Sequence, residues 1–369
     1  MPVLHSQTVV QSIDRDQRDT FVKELVVAHV EAPGKERFPL AMVRKRMPAA
    51  SGSGETLAPG SGTSGAPTVA PVLLIHGYGQ NRYAWHLPSR SVSCFLARAG
   101  FDVFNLDLRG HGRSRHLGAP RAEHVSEYAW EDVPAAVAEV QAQSGGRPVF
   151  LVGHSLGGLV SYAAAPKLGD AVAGIATLGS PYHFTRGSKT LTFLGELILA
   201  LDKQVHLGHG ALGLKPFSEA VRLTRAFIES PIFPLPIRGF VPGSLEPEVL
   251  SQHMSLAMDN GSITVLRNLF LSGVAARKSG HRLGGLTGSA ASFEALELPL
   301  LVVAGTLDDL APPSSVYPAH EHSRSSDKTY RAFPRGHIDI LVGRDAPLTV
   351  WPLLEAWLRA RVRRAAVAA

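Results

Sequence analysis

Five apolar runs constrain this chain more than any other feature: PVLLIHG (71–77), FDVFNLDLRG (101–110), PVFLVG (148–153), AVAGIATLGSP (171–181) and LPLLVVAG (298–305). The first is continuously apolar and ends in a glycine turn, as a strand covered on both faces requires. Segments of helical period lie between the first four. SVSCFLARAG (91–100) ends in a glycine suited to a C-cap, SEYAWEDVPAAVAEVQAQ (126–143) is amphipathic with Pro134 marking a local distortion, and GGLVSYAAAP (157–166) follows directly on a strand. Strand and helix in alternation imply an α/β fold: a mostly parallel central sheet with helices on both faces.

The flanks are less regular. After an N-terminal extension (1–22), residues 23–31 and 38–46 read as two strands joined by APGKER. The stretch 48–70 is rich in Gly, Ser, Pro and Thr and poor in large apolar residues, so it is expected as a flexible loop, a long hairpin insertion at a sheet edge. A first core part thus spans 23–181. The alternation stops at about 182, where a mainly helical inserted cap (182–290) is expected, and the second core part occupies 291–369. That part holds a last strand in KTYRAFPRG (328–336) and a terminal amphipathic helix in LTVWPLLEAWLRARV (348–362).

Composition narrows the function. With 45% hydrophobic and 18% charged residues, the 369-residue chain has ample material for a core. The net charge of +6 gathers partly in MVRKRM (42–47) and WLRARVRR (357–364), which read as a solvated strand end and an exposed helix face. No recognition motif accompanies this charge, so nucleic acid is not an expected partner. Cys94 is the single cysteine, which excludes an internal disulfide. The N-terminus lacks the pattern of a secretory signal, and no run reaches the roughly 18 apolar residues of a spanning helix. A cytoplasmic enzyme is the default expectation.

In a parallel sheet the loops at the strands' carboxyl ends share one rim, where residues distant in sequence meet. Ser155 lies in Gly153-His154-Ser155-Leu156-Gly157, between a strand and a helix, and fits G-x-S-x-G. Such a turn pushes the serine oxygen outward near a helix N-terminus. A serine nucleophile needs a base, and His337, after the last strand, supplies it. The imidazole needs a carboxylate to hold its tautomer; AGTLDDLAPP (304–313) offers Asp308, favoured over Asp309. An oxyanion site needs two donors, for which the backbone N–H groups of Leu156 and Tyr78 are the candidates. His76, Gly77, His154 and Tyr182, on the same loops, are candidate substrate contacts. His111 and Arg113 in DLRGHGRS read as loop-shaping. No metal or organic cofactor is called for by this chemistry.

The motifs LLIHGYG, FNLDLRGHGRS, LVGHSLGG, AGTLDDLAPP and GHIDIL, in this order, resemble the α/β-hydrolase superfamily. The resemblance implies a Ser-Asp-His triad at Ser155, Asp308 and His337. NRYAWHLPSRSVSCFLARAGFDVFNLDLRGHGRS, EYAWEDVPAA and HIDILVGRDAPLTVWP are similar to acid-lipase-like and polyhydroxyalkanoate-synthase-like members. The synthases carry cysteine at the elbow where this chain has Ser155. Epoxide hydrolases and haloalkane dehalogenases carry aspartate there. The expected activity is carboxylic-ester hydrolysis through an acyl-enzyme. The cap, through LTFLGELILAL (191–201) with Phe217, Phe227, Met254 and Met258, suggests a hydrophobic small-molecule ester. A thioesterase or acyltransferase using the same triad, and a non-catalytic binding protein of this fold, are the alternatives.

Overall fold

The computed structural model describes residues 3–34, 36–49, 68–205, 210–212, 239–279 and 286–368. Its strands are β1 (Val3–Asp14), β2 (Gln17–Val30), β3 (Phe38–Arg46), β4 (Pro71–Ile75), β5 (Asp102–Leu106), β6 (Val149–His154), β7 (Val172–Leu178), β8 (Ala211–Leu212), β9 (Gly261–Ser262), β10 (Leu300–Gly305) and β11 (Lys328–Phe333). Nine of them form one sheet in the order β1-β2-β3-β5-β4-β6-β7-β10-β11, while β8 and β9 pair separately. From β5 to β11 all pairings in this sheet are parallel, and β1, β2 and β3 add on antiparallel. All five apolar runs are strands of the parallel part. β4 lies between β5 and β6, so the chain reverses its direction of winding there, and the crevice at the strands' carboxyl ends opens beside it.

Both sheet faces carry a hydrophobic cluster. Val133, Val137 and Val140 of helix Val133–Gln143 and Leu159 and Val160 of helix Leu156–Leu168 fill one. Val92 and Leu96 of helix Val92–Arg98, with Leu354 and Leu358 of helix Val350–Ala368, fill the other. Burial is therefore continuous along the central strands rather than alternating: all five residues of β4 and all five of β5, including Asp102 and Asn105, are buried. The helix expected over 126–143 is divided. A short turn Val125–Glu127 leads into a π-helical turn Tyr128–Asp132, and Pro134 sits where that turn passes into the following helix.

Three expectations are corrected. The extension 1–22 is not outside the sheet, since β1 occupies most of it and β2 begins at Gln17, the pair closing at Asp14↔Gln17. β1 is an edge strand with an open face, Val10 being 68% exposed, so backbone pairing organises it without a strong apolar alternation. The loop 48–70, of which 50–67 lie outside the described residues, is not a hairpin connection. β3 pairs with β5, which separates it from β4. Finally, MVRKRM is not a solvated strand end. β3 is an interior strand, so Arg44 and Lys45 are buried. Arg44 clasps Asp102 with two hydrogen bonds of 2.7 Å and also reaches Glu24.

Between β7 and β10 the regular alternation of strand and helix is interrupted. The described helices there include Lys189–Val205, Pro247–Gln252 and Ile263–Ser279, and helix Thr287–Glu294 returns the chain to the core by packing on helix Leu156–Leu168. Phe217 and Phe227 lie outside the described residues. Among the described residues no helix is long and apolar enough to cross a membrane.

Candidate active site

The sharpest backbone feature lies between β6 and the helix after it. Ser155 has φ 53° and ψ −120°, a left-handed conformation that a side-chain-bearing residue adopts only under constraint. The flanking glycines account for how that turn closes. A Cβ on Gly153 would lie 2.4 Å from the Gly157 backbone, and one on Gly157 would lie 2.1 Å from the Ile75 carbonyl oxygen. Strand, turn and helix can approach this closely only without those side chains. The Ser155 N–H donates to the Leu178 carbonyl of β7 at 3.1 Å, which pins the strained residue to the sheet. Gly157→Ala is accordingly expected to cost about 3 kcal/mol or more, because backbone rather than a flexible side chain blocks the new methyl. A urea-unfolding midpoint measures this, and a midpoint equal to that of the parent would contradict it.

His337 and Asp308 come from the loops after β11 and β10. His337 Nδ1 lies 2.8 Å from Asp308 Oδ2, and both side chains are buried. The other carboxylate oxygen, Oδ1, accepts the N–H groups of Leu310 and Ala311 at 2.9 and 2.8 Å, so the Asp308 side chain is held at both ends. Asp309 is half-buried, and its backbone carbonyl accepts from the Ser188 hydroxyl. With Nδ1–H donating to Asp308, the His337 Nε2 is left as an acceptor. Burial alone pulls the His337 pKa down, but the charge and hydrogen bond of Asp308, helped by Asp309 and Asp339, outweigh it and raise the pKa above the ordinary imidazole value.

Ser155 and His337 both line a cavity of about 270 Å³. Its remaining wall is almost wholly apolar, with Leu156, Leu159 and Pro181 from the core side and Phe184, Leu191, Leu194, Met258, Leu266 and Leu269 from the 182–290 segment. Tyr78 and Gln80 complete it. The Leu156 N–H is in the first turn of its helix and so has no intrahelical acceptor. The loop bearing Tyr78 is fastened from several sides. Gln80 Oε1 accepts the Gly77 N–H at 3.1 Å, Gln80 bridges to Met258, Tyr78 Oη donates to the Ser262 carbonyl, and the Asp259 N–H donates to the Gly79 carbonyl.

A family model described as the alpha/beta hydrolase fold matches residues 70–204. Among curated proteins, the chain is 25% identical over 307 residues to the poly(3-hydroxyalkanoate) polymerase subunit PhaC of Haloferax mediterranei, covering 79% of this chain and 59% of that protein. It is 34% identical over 104 residues to lipase member K of Mus musculus, covering 26% of each. The chain thus spans less than two thirds of the length of either relative. Among solved structures, a thermophilic esterase from Thermogutta terrifontis superposes with a TM-score of 0.56 at 19% identity, over 91% of this chain and 98% of that one. The chain has the α/β-hydrolase fold. In the nine-stranded order the Ser155 turn follows β6, next to the central β4.

The four residues expected as substrate contacts do not line the apolar cavity. His76 is fully buried beneath it, where Nε2 accepts the Leu108 N–H and Nδ1 meets the Gly77 carbonyl. Gly77 is a close-approach position, its missing Cβ leaving room for Ser155 and Gln80. Tyr182 is buried against Tyr162 and Phe293, with its hydroxyl on Glu294. His154 is buried under His337, with ring centroids 4.7 Å apart, and its Nε2 reaches the His337 carbonyl at 3.0 Å. Burial, then the neighbouring His337, holds the His154 pKa well below the ordinary value, so the ring stays neutral. The rim motif holds polar side chains in its turns, and the sheet's close packing turns them inward.

Other supporting groups carried no recognisable pattern in the sequence. Asp339 Oδ2 accepts from Gly336 and Val241, tying the His337 loop to the inserted segment. Asp107 binds Arg82 and the Arg113 N–H, while Asp259 binds Arg115 and the Gly112 N–H. Arg113 therefore shapes its loop through its backbone, and its side chain is exposed. His111 is buried, with Nδ1 on the Arg109 carbonyl.

Proposed function

We propose that this protein hydrolyses carboxylic esters with a hydrophobic acyl group, using Ser155 as nucleophile, His337 as general base and Asp308 as the carboxylate that orients and stabilises His337. The observation that carries this reading is the shared cavity: Ser155 and the Asp308-bound His337 open into one apolar chamber. In the proposed reaction His337 Nε2 takes the Ser155 proton as the oxygen attacks the ester carbonyl. The N–H groups of Tyr78 and Leu156 hold the oxyanion. His337 returns the proton to the departing alcohol, leaving an acyl-enzyme. Water, deprotonated by the same imidazole, then releases the acid and regenerates the serine.

A fluorophosphonate probe tests the nucleophile. Labelling localised to Ser155 by peptide mass spectrometry, with turnover of p-nitrophenyl acyl esters, is the expected outcome. No label and no turnover together would sink the proposal. The likeness to a polymerase subunit favours one second reading, acyl transfer or thioester cleavage by the same residues. Rates on acyl thioesters, and product analysis with added alcohols, separate it from ester hydrolysis.

The wall of the cavity predicts selectivity. Leu194 lies on helix Lys189–Val205 and lines the chamber. Leu194→Trp fills part of that volume, so kcat/KM for an octanoyl ester is expected to fall about tenfold or more, with acetyl ester turnover little changed. An equal fall for both esters would place the acyl chain elsewhere.

A further inference from the structure

A second cavity, of about 390 Å³, lies on the sheet face beneath the β1–β2 hairpin and shares no lining residue with the apolar chamber. Its walls come from β1, β2, β3, β5 and the short helix Arg82–Trp85. Four cations line it: Arg18, Lys23, Lys45 and Arg82. No carboxylate does so among the described residues. Arg82 is matched from behind by Asp107 at 2.6 Å. Lys45 has no such match. It is fully buried, and its ammonium donates to Cys94 Sγ at 3.3 Å. Beside it, Asn105 donates to the Arg82 carbonyl, while its own Oδ1 is buried without a hydrogen-bond partner.

This arrangement of charges is costly in itself. Lys23 and Lys45 are directly opposed across β2 and β3, and like charges so placed destabilise a sheet. A buried ammonium with no anionic partner is expensive as well. The neighbouring Arg44 shows the ordinary solution, taking two carboxylates, Asp102 and Glu24. Lys45 instead has its pKa drawn down to about 8, by burial first and then by Lys23 and Arg82 against the opposing effect of Cys94. Lys23 is lowered too, by burial and by Arg82 and Arg113. An oxyanion seated between the two lysines removes both costs at once.

We propose that this cavity binds a phosphoryl group, held by Lys23 and Lys45 from the floor and by the exposed Arg18 at the mouth, with Asn105 Oδ1 accepting from a ligand hydroxyl. The volume falls within the roughly 300–1,000 Å³ typical of small-molecule sites, which leaves room for an organic part beside the phosphate. Tyr83 and Pro88 supply the wall such a part would meet. The inference is independent of the ester-hydrolysis reading.

Calorimetric titration of the full chain at constant ionic strength tests it, with ribose 5-phosphate in one arm and inorganic phosphate in the other. Saturable binding in either arm is expected, and tighter binding of the sugar phosphate identifies an ester as the ligand, whereas equal binding identifies the free ion. Lys23→Gln and Lys45→Met are each expected to weaken binding about tenfold or more, the loss of one charge-assisted hydrogen bond. Both variants should keep the parent's p-nitrophenyl ester turnover, which also shows that they fold. Lys23 is only half-buried, so Lys23→Gln reports on binding even where Lys45→Met perturbs the core. No saturable heat in either arm, or affinity unchanged in Lys23→Gln, overturns the proposal.

Discussion

Ser155→Ala is expected to lower kcat for ester hydrolysis by about 10⁶-fold while leaving the fold intact. The magnitude follows from the division of labour proposed for the site. Without the hydroxyl there is no covalent step, and what survives is whatever the Tyr78 and Leu156 N–H groups and the apolar chamber do for a direct attack by water. The turn itself should tolerate the change. Alanine keeps the Cβ already accommodated at φ 53°, and the anchoring bond runs from the backbone N–H to Leu178 rather than from the side chain. Rates with a p-nitrophenyl ester, together with a circular dichroism melt, check both halves. A variant that melts like the parent and retains more than a few per cent of its turnover would remove Ser155 from the chemistry.

Asp308→Asn is expected to reduce kcat by about 10⁴-fold, because an amide cannot hold the His337 Nδ1–H tautomer or stabilise the imidazolium that forms. Asp309→Asn should cost far less, since Asp308 is the carboxylate hydrogen-bonded to the ring. The pH dependence carries the same information with a definite sign. The base must be neutral to accept the serine proton, so kcat/KM rises with pH through the His337 pKa. Burial opposes the charged ring, but Asp308 overcomes it and places that midpoint above the ordinary imidazole value. Removing the Asp308 charge leaves burial to dominate, and the residual activity of Asp308→Asn should rise at lower pH than that of the parent. For stability the sign reverses. A raised folded-state pKa contributes stability that is full below the unfolded histidine's pKa and is lost as pH rises through the folded value. Paired rate profiles of the parent and both asparagine variants test these statements. A larger loss in Asp309→Asn would reassign the carboxylate.

How much of this was legible in the sequence depended on the kind of signal each part leaves. A strand buried on both faces writes itself as a continuous apolar run, so all five runs are strands of the central sheet. A glycine required for close approach leaves an equally local trace, as at Gly153 and Gly157. Edge pairing leaves little. β1 is held by backbone hydrogen bonds to β2, which any sequence without proline supplies, and so the first 22 residues read as an extension. Buried charge misleads in the opposite direction. Arg44 and Lys45 look like a solvated strand end because the partners that accommodate them, Asp102 and Glu24 for Arg44, lie far away along the chain.

The same division runs through the site. The order of strands, the strand-to-helix turn at Ser155 and the rim loops carrying Asp308 and His337 follow from local pattern, since a turn's chemistry is set by a few consecutive residues. Which side chains on those loops face the chamber was decided only by the fold. His76, His154 and Tyr182 are polar residues on rim loops, yet packing against neighbouring strands turns each of them inward, where backbone carbonyls, N–H groups and Glu294 take up their polar atoms. Likewise only the register of β2 against β3 sets Lys23 opposite Lys45. Local sequence determines what a segment is able to become. The direction a side chain finally takes depends on long-range contacts, because burial and hydrogen-bond partners are supplied by residues that the chain's own neighbourhood does not contain.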